Sequence, residues 1–118
     1  MTVELQNIVP QLASAQVSIS VNVTATLNIT AYTAKRKVNV LVLHRVGTGL
    51  FGDEPSLVVT GKSIVWRVPV IVSTASRGRL GQVGQVDVDA QTGEVMADDT
   101  LLKAIGDNAE RLVAGPAL

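Results

Sequence analysis

The feature that most constrains the fold is a strand-like stretch in the second half of the chain, SIVWRVPVIVS. One face of this stretch is continuously apolar and is made of Ile64, Trp66, Val68, Val70 and Val72. Alternation with a period of two residues predicts a β-strand with that face toward the core. Pro69 has no N–H for a sheet ladder, so the strand is expected to have a free edge or a bulge there.

The next stretch, GRLGQVGQVDVDAQTGEV, predicts a second strand and a tight turn. Its glycines follow the spacing G-x-x-G-x-x-G and precede a strand, whereas a dinucleotide-binding loop has the spacing G-x-G-x-x-G and opens a helix. We therefore expect the glycines to bend or bulge the strand. The turn DAQTGEV is expected to close a β-hairpin in which Gly93 takes a positive φ. Asp87 and Asp89 alternate with valines and are expected to face solvent.

A helix is predicted ahead of these strands, near residues 26–46, after a further strand near residues 15–24. Gly47 and Gly49 come directly after this segment and mark the C-terminal end of the predicted helix. A strand at 38–46 is the alternative, because the segment VNVLVL is a weak helix former.

A second helix is predicted after the hairpin, in the last part of the chain. It is expected to begin after Asp98 or Asp99, either of which is a suitable N-cap, and to end at Gly115 and Pro116. Between the first helix and the alternating strand, TGLFGDEP is expected to be a loop and SLVV a short strand.

Together these elements predict an α+β fold, an antiparallel sheet of about four strands with two helices packed on one face. A length of 118 residues fits a single domain over residues 1–118. An extended N-terminal arm at residues 1–13 is an option, because Pro10 interrupts that segment.

The hairpin half of the chain, WRVPV followed by VDVDAQTGEV, resembles PepSY-like domains, which carry a V-x-V-D-x-x-T-G-x-V hairpin before a closing helix. The matching residues are Val86, Val88, Asp89, Thr92, Gly93 and Val95. The resemblance implies a helix–strand–strand–strand–helix order over residues 26–114. It also implies an extracytoplasmic protein that restrains a peptidase. The segment MTVELQNIVPQL instead lacks the basic and apolar regions of a signal peptide, which favours a cytoplasmic location.

Charge and composition exclude several classes of function. Ten basic and ten acidic residues give zero net charge, which provides no electrostatic basis for binding nucleic acid or an anionic membrane. The chain has no cysteine, which excludes disulfides and thiolate metal sites. The single histidine, His44, has no cluster of metal-ligating residues around it. We therefore expect no nucleic acid, no membrane, no metal and no cofactor.

The sequence contains no recognisable catalytic constellation, so the protein is expected not to be an enzyme. The function predicted is that of a small binding or regulatory domain that acts through protein–protein contacts, either inhibitor-like or antitoxin-like. A structural homodimerisation module is the alternative, and a small-molecule enzyme is the weaker one.

The candidate protein-interaction residues are Val17, Ile19, Val21, Trp66 and Arg67. The first three lie in the alternating segment AQVSISVNV, and no charged residue occurs between Glu4 and Lys35. A sheet edge without charge is open to pairing with a copy of itself, so a homodimer through this strand is expected. Trp66 is expected to anchor the core or, if exposed, to be an interface hot spot, and the core role is favoured.

Overall fold

The computed structural model describes residues 2–5, 22 and 24–115. Within them the chain forms six strands and two helices. The strands are β1 (Thr2–Leu5), β2 (Leu50–Gly52), β3 (Ser56–Val59), β4 (Ile64–Thr74), β5 (Gly78–Asp89) and β6 (Val95–Met96). The helices are α1 (Ala31–Arg45) and α2 (Asp99–Ala114). Neither of these two helices is long and apolar enough to cross a membrane.

The strands form one sheet in the order β1-β3-β4-β5-β6, and β2 pairs with the other end of β4. The α+β class is confirmed, but the sheet has six strands rather than about four. It is also not wholly antiparallel, because β1 pairs with β3 in parallel. β6 is the second strand of the hairpin predicted across the turn at Gly93, and it pairs with β5 in antiparallel. The sequence pattern missed β1 and β2, which have four and three residues. Such lengths are too short for periodicity to register.

The long strands β4 and β5 pair in antiparallel, and the strands on the other edge of β4 explain how Pro69 is accommodated. β3 pairs with β4 up to Arg67 and β2 pairs with it from Val70, so Pro69 lies between the two partner strands. The carbonyl of Pro69 accepts a hydrogen bond from the Asp53 N–H at 2.8 Å. Its ring nitrogen faces the same gap, where no ladder bond is needed. A register shift follows between Val70 and Ile71, so the predicted irregularity is confirmed.

Helix α1 begins at Ala31, five residues later than the sequence pattern predicted. The reason is Thr30, whose Oγ1 accepts a hydrogen bond from the Thr33 N–H at 3.1 Å and caps the helix. The segment 38–45 is helical, which decides against the alternative of a strand. Val38 and Val42 are both completely buried, so packing outweighs the low helix propensity of valine. The strand predicted near 15–24 lies almost wholly outside the described residues.

Helix α2 has the boundaries that its sequence predicted. Asp98 is the N-cap, and its carboxylate accepts a hydrogen bond from the Leu101 N–H at 2.8 Å. Gly115 ends the helix with a φ of 80°. The helix lies close to the sheet at Gly84, where an added Cβ would stand 2.7 Å from Cγ1 of Ile105. The glycines of β5 therefore admit the helix and accompany two register shifts, as a sheet-building role predicts.

Both helices pack on the same face of the sheet. Ala34, Val38 and Val42 of α1 and Ile105 and Ala109 of α2 belong to one core cluster. The same cluster contains the predicted inner residues of β4, namely Trp66, Val68, Val70 and Val72, with Ile64 packed against it. On the opposite face of the sheet, Val58, Val65 and Ile71 are buried as well. The centre of the sheet is thus apolar on both sides, which periodicity in β4 alone did not predict.

Candidate protein-binding site

Helix α1 carries apolar side chains on its outward face as well as on its inward face. Tyr32, Val40 and Leu43 are 68%, 55% and 49% exposed, and they lie opposite the three residues that α1 buries. A helix on the surface of a globular protein normally has charged and polar residues on that side. The outward face of α1 is therefore unlike an ordinary solvated helix face.

These outward residues form a continuous line along the helix, which we call the outer stripe: Tyr32, Arg36, Val40 and Leu43. Their spacings of four, four and three residues place neighbours one above the other on the helix surface. The Arg36 guanidinium lies 5.8 Å from the centroid of the Tyr32 ring. This cation–π contact orients the two side chains relative to one another. Tyrosine and arginine are also residue types enriched in the energetic centres of protein interfaces.

A groove of about 530 Å³ runs beside the outer stripe, between α1 and β6. Its lining residues are Thr33, Arg36, Lys37, Val40, Leu41 and Val95. Val40 and Arg36 belong to both the stripe and the groove, so the two form one surface. Met96 is exposed on the other face of the sheet, because it pairs with Asp87 whereas Val95 pairs with Val88. We call the stripe and groove together the α1–β6 face.

The hairpin turn fixes the far wall of this groove. Gly93 has a φ of 81°, as predicted, and its carbonyl accepts a hydrogen bond from Lys37 Nζ at 2.7 Å. Behind the turn, the N–H groups of Asn28 and Ile29 both donate to the carbonyl of Ala90, at 2.9 and 3.1 Å. The turn and the start of α1 are therefore tied together, and the groove has a defined width.

The two walls of the groove carry opposite charge. Helix α1 contains Lys35, Arg36, Lys37 and Arg45 and no acidic residue. The segment 89–99 on the other side contains Asp89, Glu94, Asp98 and Asp99 and no basic residue. Some of these charges are paired, since Lys35 meets Glu54 at 3.1 Å and Arg45 meets Asp99 at 3.0 Å. Among the described residues, no carboxylate lies within ion-pairing distance of Arg36 or Lys37.

The carboxylate of Asp89 stabilises the turn, and this gives an expected dependence of stability on pH. It accepts hydrogen bonds from the backbone N–H groups of Thr92 and Gln91, at 2.9 and 2.8 Å. These bonds, with that from Thr92 the larger, lower the pKa of Asp89 below its ordinary value of 3.8. A lowered folded-state pKa means that the unfolded chain takes up this proton more readily. The Asp89 carboxylate therefore contributes fully to stability at pH values above its pKa in the unfolded chain. That contribution is lost as the pH falls through its pKa in the folded protein.

We expect the free energy of unfolding to fall between about pH 5 and pH 2, and Asp89→Asn to flatten that fall. Urea denaturation of both proteins at several pH values in this range measures the difference. The same slope in the Asn variant as in the unmodified protein would show that the Asp89 carboxylate does not contribute to acid sensitivity.

The interaction residues predicted from the sequence lie elsewhere. Val17, Ile19 and Val21 are outside the described residues. Trp66 is 4% exposed and belongs to the core, where its Nε1 donates to the carbonyl of Ile29 at 2.7 Å. The core role favoured for Trp66 agrees with this position, and its ring is not presented at the surface.

Arg67 lies on the sheet face opposite the helices and is held by carboxylates. Its Nε and Nη2 donate to the two oxygens of Asp87, at 2.9 and 3.1 Å, and Nη1 lies 3.6 Å from Oε2 of Glu4. The hydrogen bond with Asp87 is the main cause that raises the pKa of Arg67. Asp87 is therefore a partner of Arg67 and not simply a solvated acid. This bidentate pair fastens β4 to β5 and lies away from the α1–β6 face.

The sequence contains one signal for the α1–β6 face, which is the presence of apolar residues on both sides of α1. Ala34, Val38 and Val42 are the inward residues of α1, and Val40 and Leu43 therefore lie on the other side of the same helix. Apolar residues left over after one face is assigned indicate a second contact surface.

Comparison with known proteins does not assign this chain to a class. No family model, curated protein or solved structure matches it. In the part of the chain that the structure describes, no group of three His, Cys, Asp or Glu side chains is arranged to hold a metal ion.

Proposed function

We propose that this protein is a small non-enzymatic binding or regulatory domain that acts through protein–protein contacts, in the manner of an inhibitor or an antitoxin. The observation that carries the proposal is the outer stripe, an exposed row of tyrosine, arginine, valine and leucine on a helix whose other face is already buried. Exposed apolar side chains that are contiguous and bordered by charge are typical of protein contact surfaces.

The chemistry around the stripe supports binding more than catalysis. The groove is lined by apolar side chains, a threonine and two cations. His44 is exposed at the end of α1, and the lining residues of the groove include no histidine or carboxylate. A surface of this kind can bury apolar area and select a partner by charge, but its lining offers no pair of acid and base groups.

The fold of PepSY-like domains and a cytoplasmic location belong to the same proposal. The chain shares with such domains the D-x-x-T-G turn before a closing helix, and here that turn forms one wall of the proposed contact surface. The absence of cysteine is compatible with a reducing compartment.

The proposal predicts that charge placed on the outer stripe abolishes a stoichiometric complex. Val40→Glu/Leu43→Glu should fold normally, because both side chains are about half exposed and exposed substitutions change stability by roughly 0.5 kcal/mol or less. Purification of the tagged chain from its native host should give a stoichiometric protein with the unmodified chain and lose it with this variant. The matched control is Ala104→Glu, on the exposed side of α2, which should retain it.

Two outcomes contradict the proposal. Equal recovery of the bound protein by the stripe variant and by the control would remove α1 from the contact. Turnover of a small molecule by the pure, monodisperse chain, unaffected by the stripe variant, would favour the enzyme alternative.

A further inference from the structure

We propose that the α1–β6 face binds a second copy of this chain, so that the protein is a two-fold symmetric dimer. The inference rests on the proposed function and names the partner for the same surface. It agrees with the homodimer expected from the sequence but assigns it to a different contact. The alternating residues 17–23 considered there lie mostly outside the described part of the chain.

Charged residues of opposite sign lie on the two sides of the α1–β6 face. One flank is basic, with Arg36 and Lys37 on the rim of the groove, and the other is acidic, with Glu94 and Asp98 beyond Val95. The apolar residues of the groove, Val40, Leu41 and Val95, lie between these flanks. In a two-fold interface the same patch serves on both subunits, so a residue away from the axis contacts a different residue of the copy, and the reverse contact occurs as well. A two-fold rotation about an axis through the groove places the basic flank of each subunit over the acidic flank of the other, so the dimer contains two such contacts.

The same charges argue against other arrangements. A dimer formed by α1 against α1 would bring together two helices that carry four basic residues each and no acidic one. Like charges brought together at an interface are unfavourable. A wholly acidic partner would be repelled by Glu94 and Asp98, and a wholly basic one by Arg36 and Lys37. A second copy supplies both signs in the matching order because symmetry requires it.

The apolar lining of the groove supports the same occupant. Val40 is 55% exposed, and it lines the groove together with Leu41 and Val95. These three side chains form an apolar centre with charged residues on both sides, which is the usual anatomy of a specific interface. Burial of the apolar centre supplies affinity, and the charged flanks determine the orientation.

The test is a charge exchange within one chain, measured by sedimentation velocity between about 1 and 200 µM. We expect the unmodified protein to dimerise with a dissociation constant near ~10 µM. Arg36→Glu alone and Glu94→Lys alone should each weaken the dimer by about tenfold or more. The double variant Arg36→Glu/Glu94→Lys restores opposite charges across the axis and should return to within about threefold of the unmodified protein.

A control variant and two contrary outcomes distinguish failure of the dimer from failure of the proposed function. Lys62→Glu changes an exposed charge in the β3–β4 turn and should leave the association constant unchanged. Circular dichroism establishes that each variant is folded. A monomer at ~100 µM, or a double variant as weak as its singles, overturns the inference.

If the chain is monomeric but Val40→Glu/Leu43→Glu still loses its host partner, the α1–β6 face binds another protein and the proposed function stands. If instead Ser20→Lys/Asn22→Lys dissociates the dimer while the charge exchange has no effect, the contact lies in the N-terminal segment and this inference is wrong.

Discussion

Trp66→Ala is expected to lower the free energy of unfolding by about 3–5 kcal/mol, the range measured when a large aromatic core side chain is truncated. Trp66 is 4% exposed and lies in the main core cluster between the two helices and the sheet. Its loss leaves a cavity and also removes the indole N–H that donates to the Ile29 carbonyl at 2.7 Å. Because Ile29 immediately precedes the N-cap of α1, the substitution should also loosen the start of that helix. Urea denaturation followed by circular dichroism measures the change.

Two further variants separate the contributions to this loss. Trp66→Phe keeps most of the ring but leaves the Ile29 carbonyl without its donor, so a smaller loss of about 1–3 kcal/mol is expected. Tyr32→Ala, at a side chain that is 68% exposed, should change stability by no more than about 0.5 kcal/mol. A Trp66→Ala protein as stable as the unmodified chain would show that the tryptophan does not anchor the core.

Gly93→Val is expected to lower the free energy of unfolding by about 1–3 kcal/mol, since a β-branched residue is strained at positive φ. The φ of Gly93 is 81°. A Cβ there would stand 2.9 Å from Cδ1 of Ile29 and 3.1 Å from Nζ of Lys37. The substitution should therefore disturb the turn and also the lysine that ties it to α1. Thermal and urea denaturation both report the loss.

Gly78 provides the matched control, because its φ is 69° but nothing lies within 4 Å of the position where its Cβ would be. Gly78→Val has the backbone strain without the steric contacts, so it should destabilise less than Gly93→Val. Equal losses would mean that backbone strain alone is responsible. An unchanged melting temperature for Gly93→Val would show that the turn is assigned to the wrong residues.

The elements that the sequence predicted correctly are those with local causes. The apolar face of β4, the positive φ of Gly93 and the caps of α2 depend on residues within a few positions of one another. Alternation, turn chemistry and capping act over such distances, so they can be recognised in the sequence. Helix α1 begins five residues later than the helical spacing predicts, because the side chain of Thr30 caps the first turn and the chain before Thr30 is not helical.

The α1–β6 face was not predicted because it depends on contacts between distant segments. Lys37 and Gly93 are 56 positions apart in the chain, and their hydrogen bond sets one wall of the groove. Asn28 and Ala90 are joined in the same way. The role of Asp87 was also misjudged, because an acid on an alternating strand looks solvated until the arginine of the neighbouring strand is known to lie 2.9 Å away.

The sequence alone was enough to predict an α+β domain with a hairpin across the turn at Gly93 and a closing helix, because periodicity, turns and caps are local properties. Tertiary packing selects which face of α1 is buried and which is left exposed, and it places a basic helix opposite an acidic segment. Valine and leucine occur on both sides of α1, so no local rule distinguishes them. The sheet covers one side, and the other remains as the surface on which the proposed contacts depend.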